Sequence, residues 1–224
     1  MAAVIPWSYS SLTAFETCPK RFYLTRILKT VTEPQTEATL WGNRVHKALE
    51  NAVGKGEALP SGFEQYQPIV NRLRAFPGHK LAEAKFGLTK SLHPTTFFAK
   101  DVWFRGVLDL TLLQTSGRSA VVLDYKTGKP KDDGDQLKLF AASAFAQRPS
   151  LEEVKTGYLW LAHDKVSTQT FRREDAPAIW QEFIPRVARM EKALADDRWP
   201  PNPSGLCRAW CPVGRKNCVH CGKD

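Results

Sequence analysis

Two aspartates on neighbouring predicted strands have the residue types and spacing for metal chemistry. Asp109 lies in the run Gly-Val-Leu-Asp-Leu, and Asp124 directly follows the apolar run at 120–123. The turn-rich sequence QTSGRS between the two runs predicts a β-hairpin. Lys126 is two residues beyond Asp124, so on a strand both side chains point to the same side. Two carboxylates and a lysine at strand ends could hold a divalent cation and steady a phosphate, which is the chemistry of metal-dependent phosphodiester cleavage.

The acid–x–lysine triplet alone is weak evidence, because it occurs three times in the chain. The triplets are Glu83-Ala84-Lys85, Asp124-Tyr125-Lys126 and Glu153-Val154-Lys155. Most such triplets are charges on the solvated face of a strand. Asp124 differs because the run before it suits a strand buried on both faces, where an isolated charge is costly. From the triplet and hairpin alone, a metal site and a solvated strand face both remain open.

The composition indicates a globular protein with a polyanionic partner. The 224 residues are 42% hydrophobic, which suits one large domain or a domain with a small appendage. No apolar run reaches 18 residues, so we expect neither a membrane span nor a membrane partner. The N-terminal sequence lacks the basic and apolar regions of a secretory signal, so we expect a cytoplasmic location. The net charge of +9 favours nucleic acid as the partner.

The hydrophobic periodicity predicts helices and strands in an α/β order. The first predicted helix starts at a Ser8 or Ser10 cap and reaches about residue 28. The other predicted helices span about 40–53, 64–75, 133–146 and 175–194. The predicted strands span about 82–88, 97–102, 104–113, 120–125, 156–161 and 168–172. Beyond residue 198 the apolar periodicity ends.

Five cysteines form the second strong signal, and four of them lie within fifteen residues of the C-terminal segment. They are Cys18, Cys207, Cys211, Cys218 and Cys221. Structural disulfides are uncommon in cytosolic proteins, and a segment poor in core residues needs a metal or a similar link. The residues leave three alternatives open. These are a local zinc site in which His220 could substitute for a cysteine, an iron–sulfur cluster that joins Cys18 to three tail cysteines, and free thiols.

Six segments in their order along the chain resemble the RecB-like nucleases of the PD-(D/E)XK superfamily. Relatives with this pattern include single-domain phage exonucleases, the CRISPR-adaptation nucleases and the AddB nuclease domain. The segments are the S-x-S-S-L-x-x-F-x-x-C-P-x-R-F-Y pattern at 8–23, G-x-x-x-H at 42–46, G-x-x-D at 106–109, D-x-K-T-G at 124–128, Q-L-x-x-F at 136–140 and the final cysteine run. The resemblance spans nearly the whole chain.

The resemblance implies an α/β fold with a restriction-endonuclease-like core. A mixed central sheet would be flanked by helices, with the core and its N-terminal helices at 1–198. Residues 199–224 would form a metal-stapled cysteine tail packed on this core.

The resemblance also implies roles for individual residues. Mg²⁺ or Mn²⁺ would be bound by His46, Asp109, Asp124 and the Tyr125 carbonyl. Lys126 would position or activate the attacking water and offset phosphate charge, and Gln136 would orient the substrate or nearby groups. Glu83 lies in the segment that resembles the preceding strand. For its carboxylate a structural role is favoured over assistance at the site.

For the tail, the resemblance implies a 4Fe-4S cluster bound by Cys18, Cys207, Cys211 and Cys218. Cys221 is the alternate ligand, and a structural Zn²⁺ is the alternative metal. The sequence departs from the family pattern in two places. Phe140 stands where the family has tyrosine, so that hydroxyl is absent. The gaps between the first three tail cysteines are three and six residues instead of two and five, which leaves open which tail cysteine is not a ligand.

The function implied is that of a metal-dependent DNA nuclease. An exonuclease acting on single-stranded ends in recombination, repair or phage DNA processing is favoured, with a helicase or recombination protein as a partner. A catalytically silent DNA-binding or recombination accessory module with a structural metal site is the main alternative, and a zinc-stapled RNA-binding protein is a third. Cleavage polarity, pathway and oligomeric state are left open.

Overall fold

The computed structural model describes residues 5–130 and 134–222, which form two compact units. One unit is Glu37–Gln181, and the other combines the described parts of Met1–Thr36 and Glu182–Asp224. The predicted boundary after residue 198 concerns the cysteine tail alone and stays a prediction. Within the described residues no helix is long and apolar enough to cross a membrane.

Six α-helices and six strands are present in the described part of the chain. The helices are α1 (Tyr9–Thr17), α2 (Pro19–Phe22), α3 (Glu37–Leu49), α4 (Gln67–Ala75), α5 (Asp135–Gln147) and α6 (Ala176–Ala195). The strands are β1 (His79–Leu88), β2 (Pro94–Thr95), β3 (Phe104–Leu113), β4 (Ser119–Lys126), β5 (Glu153–Trp160) and β6 (Lys165–Arg172). Short 3₁₀ or π-type turns extend several of the helices.

The strands form one mixed sheet in the order β2-β1-β3-β4-β5-β6. Every neighbouring pair is antiparallel except β4 and β5, which are parallel. A parallel pair needs a crossover connection, and α5 provides it. The predicted α/β fold with a mixed sheet flanked by helices is therefore confirmed.

One face of the sheet packs against α3 and α4. Alternate residues of β3 and β4 point to this face, which buries Leu110 and Leu123 together with Val45, Leu49 and Ile69 of the two helices. This packing fixes α3 beside β4, and so determines where the C-terminal half of α3 presents its polar side chains.

In the unit formed by the two chain ends, α1 is fixed by an N-terminal cap and by an ion pair with Arg186. Ser8 caps this helix by accepting a hydrogen bond from the Ser11 amide, and the Ser11 hydroxyl lies 2.8 Å from the Ser8 amide nitrogen that donates to it. Glu16 accepts two hydrogen bonds from the Arg186 guanidinium, at 2.8 and 2.7 Å. Bidentate pairs of this kind fix geometry as well as charge, so the pair links α1 to a residue 170 positions later in the sequence.

Two predicted elements differ in the structure. The predicted helix at 8–28 breaks at Cys18, which has extended backbone (φ −164°, ψ 105°). The residue before a proline disfavours the helical conformation, and Pro19 starts α2. The predicted strand at 97–102 is wrong, since the only strand between β1 and β3 in the described residues is the two-residue β2 at Pro94–Thr95. The predicted start of the fourth long helix, about Asp133, lies outside the described residues.

Gly78, just before β1, packs closely against Leu113 at the end of β3, and a substitution there tests this packing. Its φ is +97°, and a Cβ there would overlap the Leu113 carbonyl oxygen. Gly117 in the β3–β4 turn also has positive φ (+69°), but no atom lies within 4 Å of a Cβ there. We expect Gly78→Ala to lower the free energy of unfolding by at least about 1 kcal/mol more than Gly117→Ala, because both substitutions strain the backbone and only one adds steric overlap. Urea denaturation of both variants measures the difference, and equal losses would contradict the described packing.

Candidate metal centre and cysteine cluster

Asp109 lies where the pairing of β3 is interrupted on both sides. The β1–β3 ladder passes from Ala82–Leu110 to Ala84–Leu108 without a pairing between Glu83 and Asp109. On the other side, the β3–β4 pairing ends at Leu110–Leu123. The Tyr125 amide instead donates to Asp109 Oδ2, at 2.7 Å. The Asp109 carboxylate therefore occupies the gap between the two separating strands.

His46, near the end of α3, reaches the same gap. Its Nε2–H donates to the Tyr125 carbonyl oxygen at 3.0 Å, and its Nδ1 is 3.4 Å from Asp109 Oδ2 and 4.0 Å from Glu83 Oε1. A metal-binding histidine commonly donates its second ring N–H to a backbone carbonyl, which fixes the tautomer. In this arrangement Nδ1 faces the carboxylates, and in the neutral imidazole its lone pair could bind a cation.

Glu83 joins the site through a local change in the backbone of β1. Its φ is +49°, a left-handed conformation that is strained for a residue with a side chain. Its carboxylate lies opposite Asp109, where like charges on neighbouring strands repel. Single ligand atoms of His46, Glu83 and Asp109 all lie within 4.8 Å of one another. This group is compact enough to surround one cation.

Asp124 forms the second part of the site with a lysine and a glutamine. Lys126 Nζ lies 2.6 Å from Asp124 Oδ2. Gln136, in the first turn of α5, donates to Asp124 Oδ1 at 3.0 Å and accepts from Lys126 at 3.2 Å. Tyr158, beside Asp124 on β5, donates to Gln136 Oε1 at 3.4 Å, and its ring lies 5.0 Å from Lys126 Nζ. The lysine is therefore held between the carboxylate and an aromatic face.

The positive charge near Glu83, Asp109 and Asp124 is too small to balance their three carboxylates. Burial and the charge of Asp109 raise the pKa of Asp124 to about 6, although Lys126 and His46 act against this. Burial and Asp109 likewise raise the pKa of Glu83. Burial disfavours the charged form of His46, but Asp109, Asp124 and the Tyr125 carbonyl outweigh it and raise the pKa of His46. Each shift reports the same imbalance, an excess of negative charge in a partly desolvated site.

A divalent cation fits this donor set. Carboxylate and carbonyl oxygens are the ligands that Mg²⁺ and Mn²⁺ prefer, and an imidazole suits Mn²⁺ better than Mg²⁺. The Tyr125 carbonyl oxygen has two lone pairs, so it can accept from His46 and still face a cation. Asp109 and Asp124 are only 8% and 6% exposed, so bulk water compensates their charge poorly.

Of the predicted residues, the structure groups His46, Asp109 and the Tyr125 backbone with Glu83. It places Asp124 with Lys126 and Gln136 in the adjoining part of the site. Their individual roles stay predictions. Two neighbours were not predicted as ligands or catalytic residues. For Glu83 a structural role was favoured over assistance at the site, and its triplet with Lys85 was the available signal. Tyr158 carries no sequence signal that distinguishes it from a core tyrosine.

The cysteines meet in the other unit. Cys18, at the break between α1 and α2, and the four tail cysteines line one small cavity, together with Lys20, Arg21 and His220. None of the five cysteines forms a disulfide. The Asn202 amide donates to Cys18 Sγ at 3.4 Å, and the Ser204 amide donates to Cys207 Sγ at 3.3 Å. Such N–H groups stabilise charge on sulfur ligands.

Cys221 is the most enclosed of these thiols, at 2% exposure. Burial and the neighbouring Cys211 and Cys218 thiols raise the pKa of Cys221 to about 12. Three sulfur atoms in contact, with two more around the same cavity, match the thiolate donor set of zinc or an iron–sulfur cluster. Five cysteines exceed the four that either site needs.

Comparison with known proteins agrees with this fold. A profile of the PD-(D/E)XK nuclease superfamily matches residues 6–216, so the chain belongs to this superfamily. The curated proteins contain no match. A solved structure from Eubacterium rectale, described as a candidate exonuclease, is similar in fold at 11% identity, with 90% of this chain and 85% of that chain covered and a TM-score of 0.53. The structure of SSO0001 has 14% identity, covers 93% of this chain and 83% of that one, and has a TM-score of 0.48.

The Asp124→Asn variant tests two effects of the buried Asp124 charge. Without metal the charge lowers folding stability, and with metal it is expected to help bind the cation. The folded protein holds the Asp124 proton more tightly than the unfolded chain, so ionisation removes stability as the pH rises from about 4 to about 6. Without divalent metal at pH 7.5, we expect Asp124→Asn to exceed the wild type in stability by on the order of 2 kcal/mol. Below pH 4 the difference should vanish.

The control is Asp164→Asn, which neutralises an exposed carboxylate paired with Arg72 and should leave stability nearly unchanged. Adding Mn²⁺ should stabilise the wild type and leave Asp124→Asn nearly unaffected, because binding to the folded state raises its stability. Chemical denaturation with and without metal measures both effects. A wild type more stable than Asp124→Asn without metal at every pH would contradict the charge imbalance.

Proposed function

We propose that this protein is a metal-dependent deoxyribonuclease that hydrolyses phosphodiester bonds of DNA. The observation that carries the proposal is the meeting of Asp109, Asp124 and Lys126 at the interruption of the sheet, with His46 beside them. A D-x-K arrangement on a strand of this superfamily's fold pairs a carboxylate for a cation with an amine for a phosphate. The net charge of +9 suits a polyanionic substrate.

The metal ligands we propose are His46, Asp109, Asp124 and the Tyr125 carbonyl, with Glu83 added to the set from its position. A bound divalent cation would lower the pKa of a water molecule and stabilise charge on the phosphoryl oxygens. His46 Nε2–H holds its ring on the Tyr125 carbonyl, so the ring presents Nδ1 to the carboxylates. The Tyr125 amide keeps the Asp109 carboxylate oriented.

Lys126 is the residue that we assign to the phosphate and the attacking water. Its Nζ lies between the Asp124 carboxylate and the Tyr158 ring, and these two contacts together position it. A positioned ammonium stabilises negative charge that develops in the transition state. Gln136 bridges Lys126 and Asp124, and we assign it the role of keeping the two at a constant separation.

Exonuclease action on single-stranded ends is the form that we favour. Support comes from the RecB-like motifs at 8–23, 42–46 and 124–128, and from the fold shared with the Eubacterium rectale protein. A DNA-binding accessory module without turnover is the alternative. The intact set of His46, Asp109, Asp124 and Lys126 favours the nuclease, because a silent module would not need both the ligands and the lysine.

Catalysis gives the direct test of this proposal. Asp109→Ala, Asp124→Ala and Lys126→Ala should each reduce cleavage of single-stranded DNA by orders of magnitude, because the metal and the amine act on the same phosphoryl group. Lys155→Ala is the matched control, since Lys155 belongs to a similar triplet on an exposed part of β5, and it should cleave like the wild type. The assay uses end-labelled oligonucleotides with Mn²⁺ or Mg²⁺. If purified Asp124→Ala turned over at the wild-type rate, the assignment would be wrong.

For the cysteine cavity we propose a 4Fe-4S cluster with Cys18 and three tail cysteines as ligands. Cys207, Cys211 and Cys218 are the preferred tail ligands, and Cys221 is the alternate. Lys20 and Arg21 line the same cavity. Arg21 is paired with Glu33, and the positive charge of Lys20 would offset the negative charge of a thiolate-bound cluster. A structural Zn²⁺ bound by the tail cysteines alone is the second candidate, favoured by the close contacts of Cys211, Cys218 and Cys221.

Cys18→Ser distinguishes the two metals. A shared cluster closes a loop of about 190 residues between Cys18 and the tail, so losing it should lower both iron content and the melting temperature. The wild type purified without oxygen should be brown, with broad visible absorbance that bleaches on reduction or chelation. Metal analysis, absorbance and thermal melting measure these outcomes. If Cys18→Ser keeps its metal and Cys221→Ser loses it, the site is the local one and zinc becomes the better assignment.

A further inference from the structure

An aromatic pair is exposed on the connection between β1 and β3. Phe98 is 79% exposed, and its ring meets the Phe97 ring edge-on, with 4.9 Å between centroids. Large apolar side chains are costly to leave in water, and the charged residues at 85–105 are mostly positive. The segment carries four lysine or arginine residues and one carboxylate, Asp101, which accepts a hydrogen bond from Thr95.

Two cations lie against this aromatic pair. The Arg105 guanidinium carbon is 5.1 Å from the centre of the Phe97 ring, and Lys85 Nζ is 6.0 Å from it. Neither cation has an ion pair with a carboxylate of residues 5–130 or 134–222. Arg105 Nε is buried and has no hydrogen-bond partner within these ranges, so no protein acceptor fixes this end of the guanidinium.

The fold holds this surface close to the metal centre. Gly87 allows the chain to cross β1, since a Cβ there would lie 2.7 Å from the Thr96 carbonyl oxygen and 2.8 Å from Val102 Cγ2. Lys85 is two residues from Glu83 on β1, and Arg105 is four residues from Asp109 on β3. At about 3.3 Å per residue these separations are about 7 and about 13 Å along the strands. A nucleic acid strand whose reacting phosphate lies at the metal centre would reach both cations within a few nucleotides.

We propose that Lys85, Phe97, Phe98 and Arg105 form a contact surface for single-stranded DNA beside the metal centre. Phe98 stacks on a base of the strand that flanks the cleaved bond, while Lys85 and Arg105 neutralise its phosphates. Single strands expose the faces of their bases and duplexes do not, so an aromatic platform selects the single strand. The inference rests on the proposed nuclease function and adds its substrate form.

DNA binding by the 224-residue chain tests this surface. Fluorescence anisotropy with a labelled single-stranded oligonucleotide, with divalent metal chelated to prevent cleavage, gives Kd for each variant. Phe98→Ala should raise Kd about tenfold, and Phe98→Trp should restore it because indole also stacks. Lys85→Gln should reduce the magnitude of the salt dependence, the slope of log K against log salt concentration, by about 0.7. Val166→Ala changes an exposed apolar side chain of β6 and is expected to bind like the wild type.

The outcomes separate this inference from the proposed function. A wild type that cleaves single-stranded DNA, together with Phe98→Ala and Lys85→Gln variants of unchanged Kd and KM, would overturn the surface and leave the nuclease standing. A wild type that binds single strands through Phe98 but never cleaves them would support the surface and overturn the nuclease. If Phe98→Ala weakened single-strand and blunt-duplex binding equally, the proposed contact surface would be overturned, since stacking requires an accessible base.

Discussion

The arrangement of the site depends on the repulsion that Asp109 exerts on two other carboxylates, Glu83 and Asp124, in a partly buried part of the sheet. Glu83, Asp109 and Asp124 come from three neighbouring strands, and Lys126 is the one lysine in contact with them in the described residues. Burial raises the pKa of Asp124 and of Glu83, and the charge of Asp109 raises both further. A carboxylate cluster of this kind lowers the stability of the folded protein in the absence of a cation. The surrounding contacts reduce that cost without removing it.

The sheet accommodates these charges by giving up regular pairing. At Glu83, where the backbone is left-handed, β1 and β3 lack one ladder pairing. The ladder between β3 and β4 also ends at Leu110, next to Asp109. The backbone groups released there are used again, because the Tyr125 amide donates to Asp109 and the Tyr125 carbonyl accepts from His46. The irregularity therefore converts ladder hydrogen bonds into bonds that orient candidate ligands. Strained backbone at such positions is typical of functional sites.

Most of the fold and the main pair of carboxylates could be predicted from the sequence, because both follow from local signals. The β3–β4 hairpin is specified by two apolar runs around a turn, and the alternation of a strand puts Asp124 and Lys126 on one side. Glu83 was harder, since its approach to Asp109 depends on an unusual φ and on register across strands. The contact of Tyr158 with Gln136 depends on the α5 crossover that places β5 beside β4, and no local sequence signal predicts it. The wrong strand at 97–102 had apolar residues, but Pro94 and the crossing at Gly87 limit pairing there to two residues.

The central claim, that His46 and the carboxylates bind one divalent cation, can be tested by pulsed electron paramagnetic resonance of bound Mn²⁺. An imidazole nitrogen bonded to Mn²⁺ produces a characteristic nitrogen coupling. We expect this coupling in the wild type with one Mn²⁺ per chain at the site, and we expect it to disappear in His46→Ala while Lys155→Ala retains it. A wild type that binds no Mn²⁺, or a nitrogen coupling that persists unchanged in His46→Ala, would contradict the account.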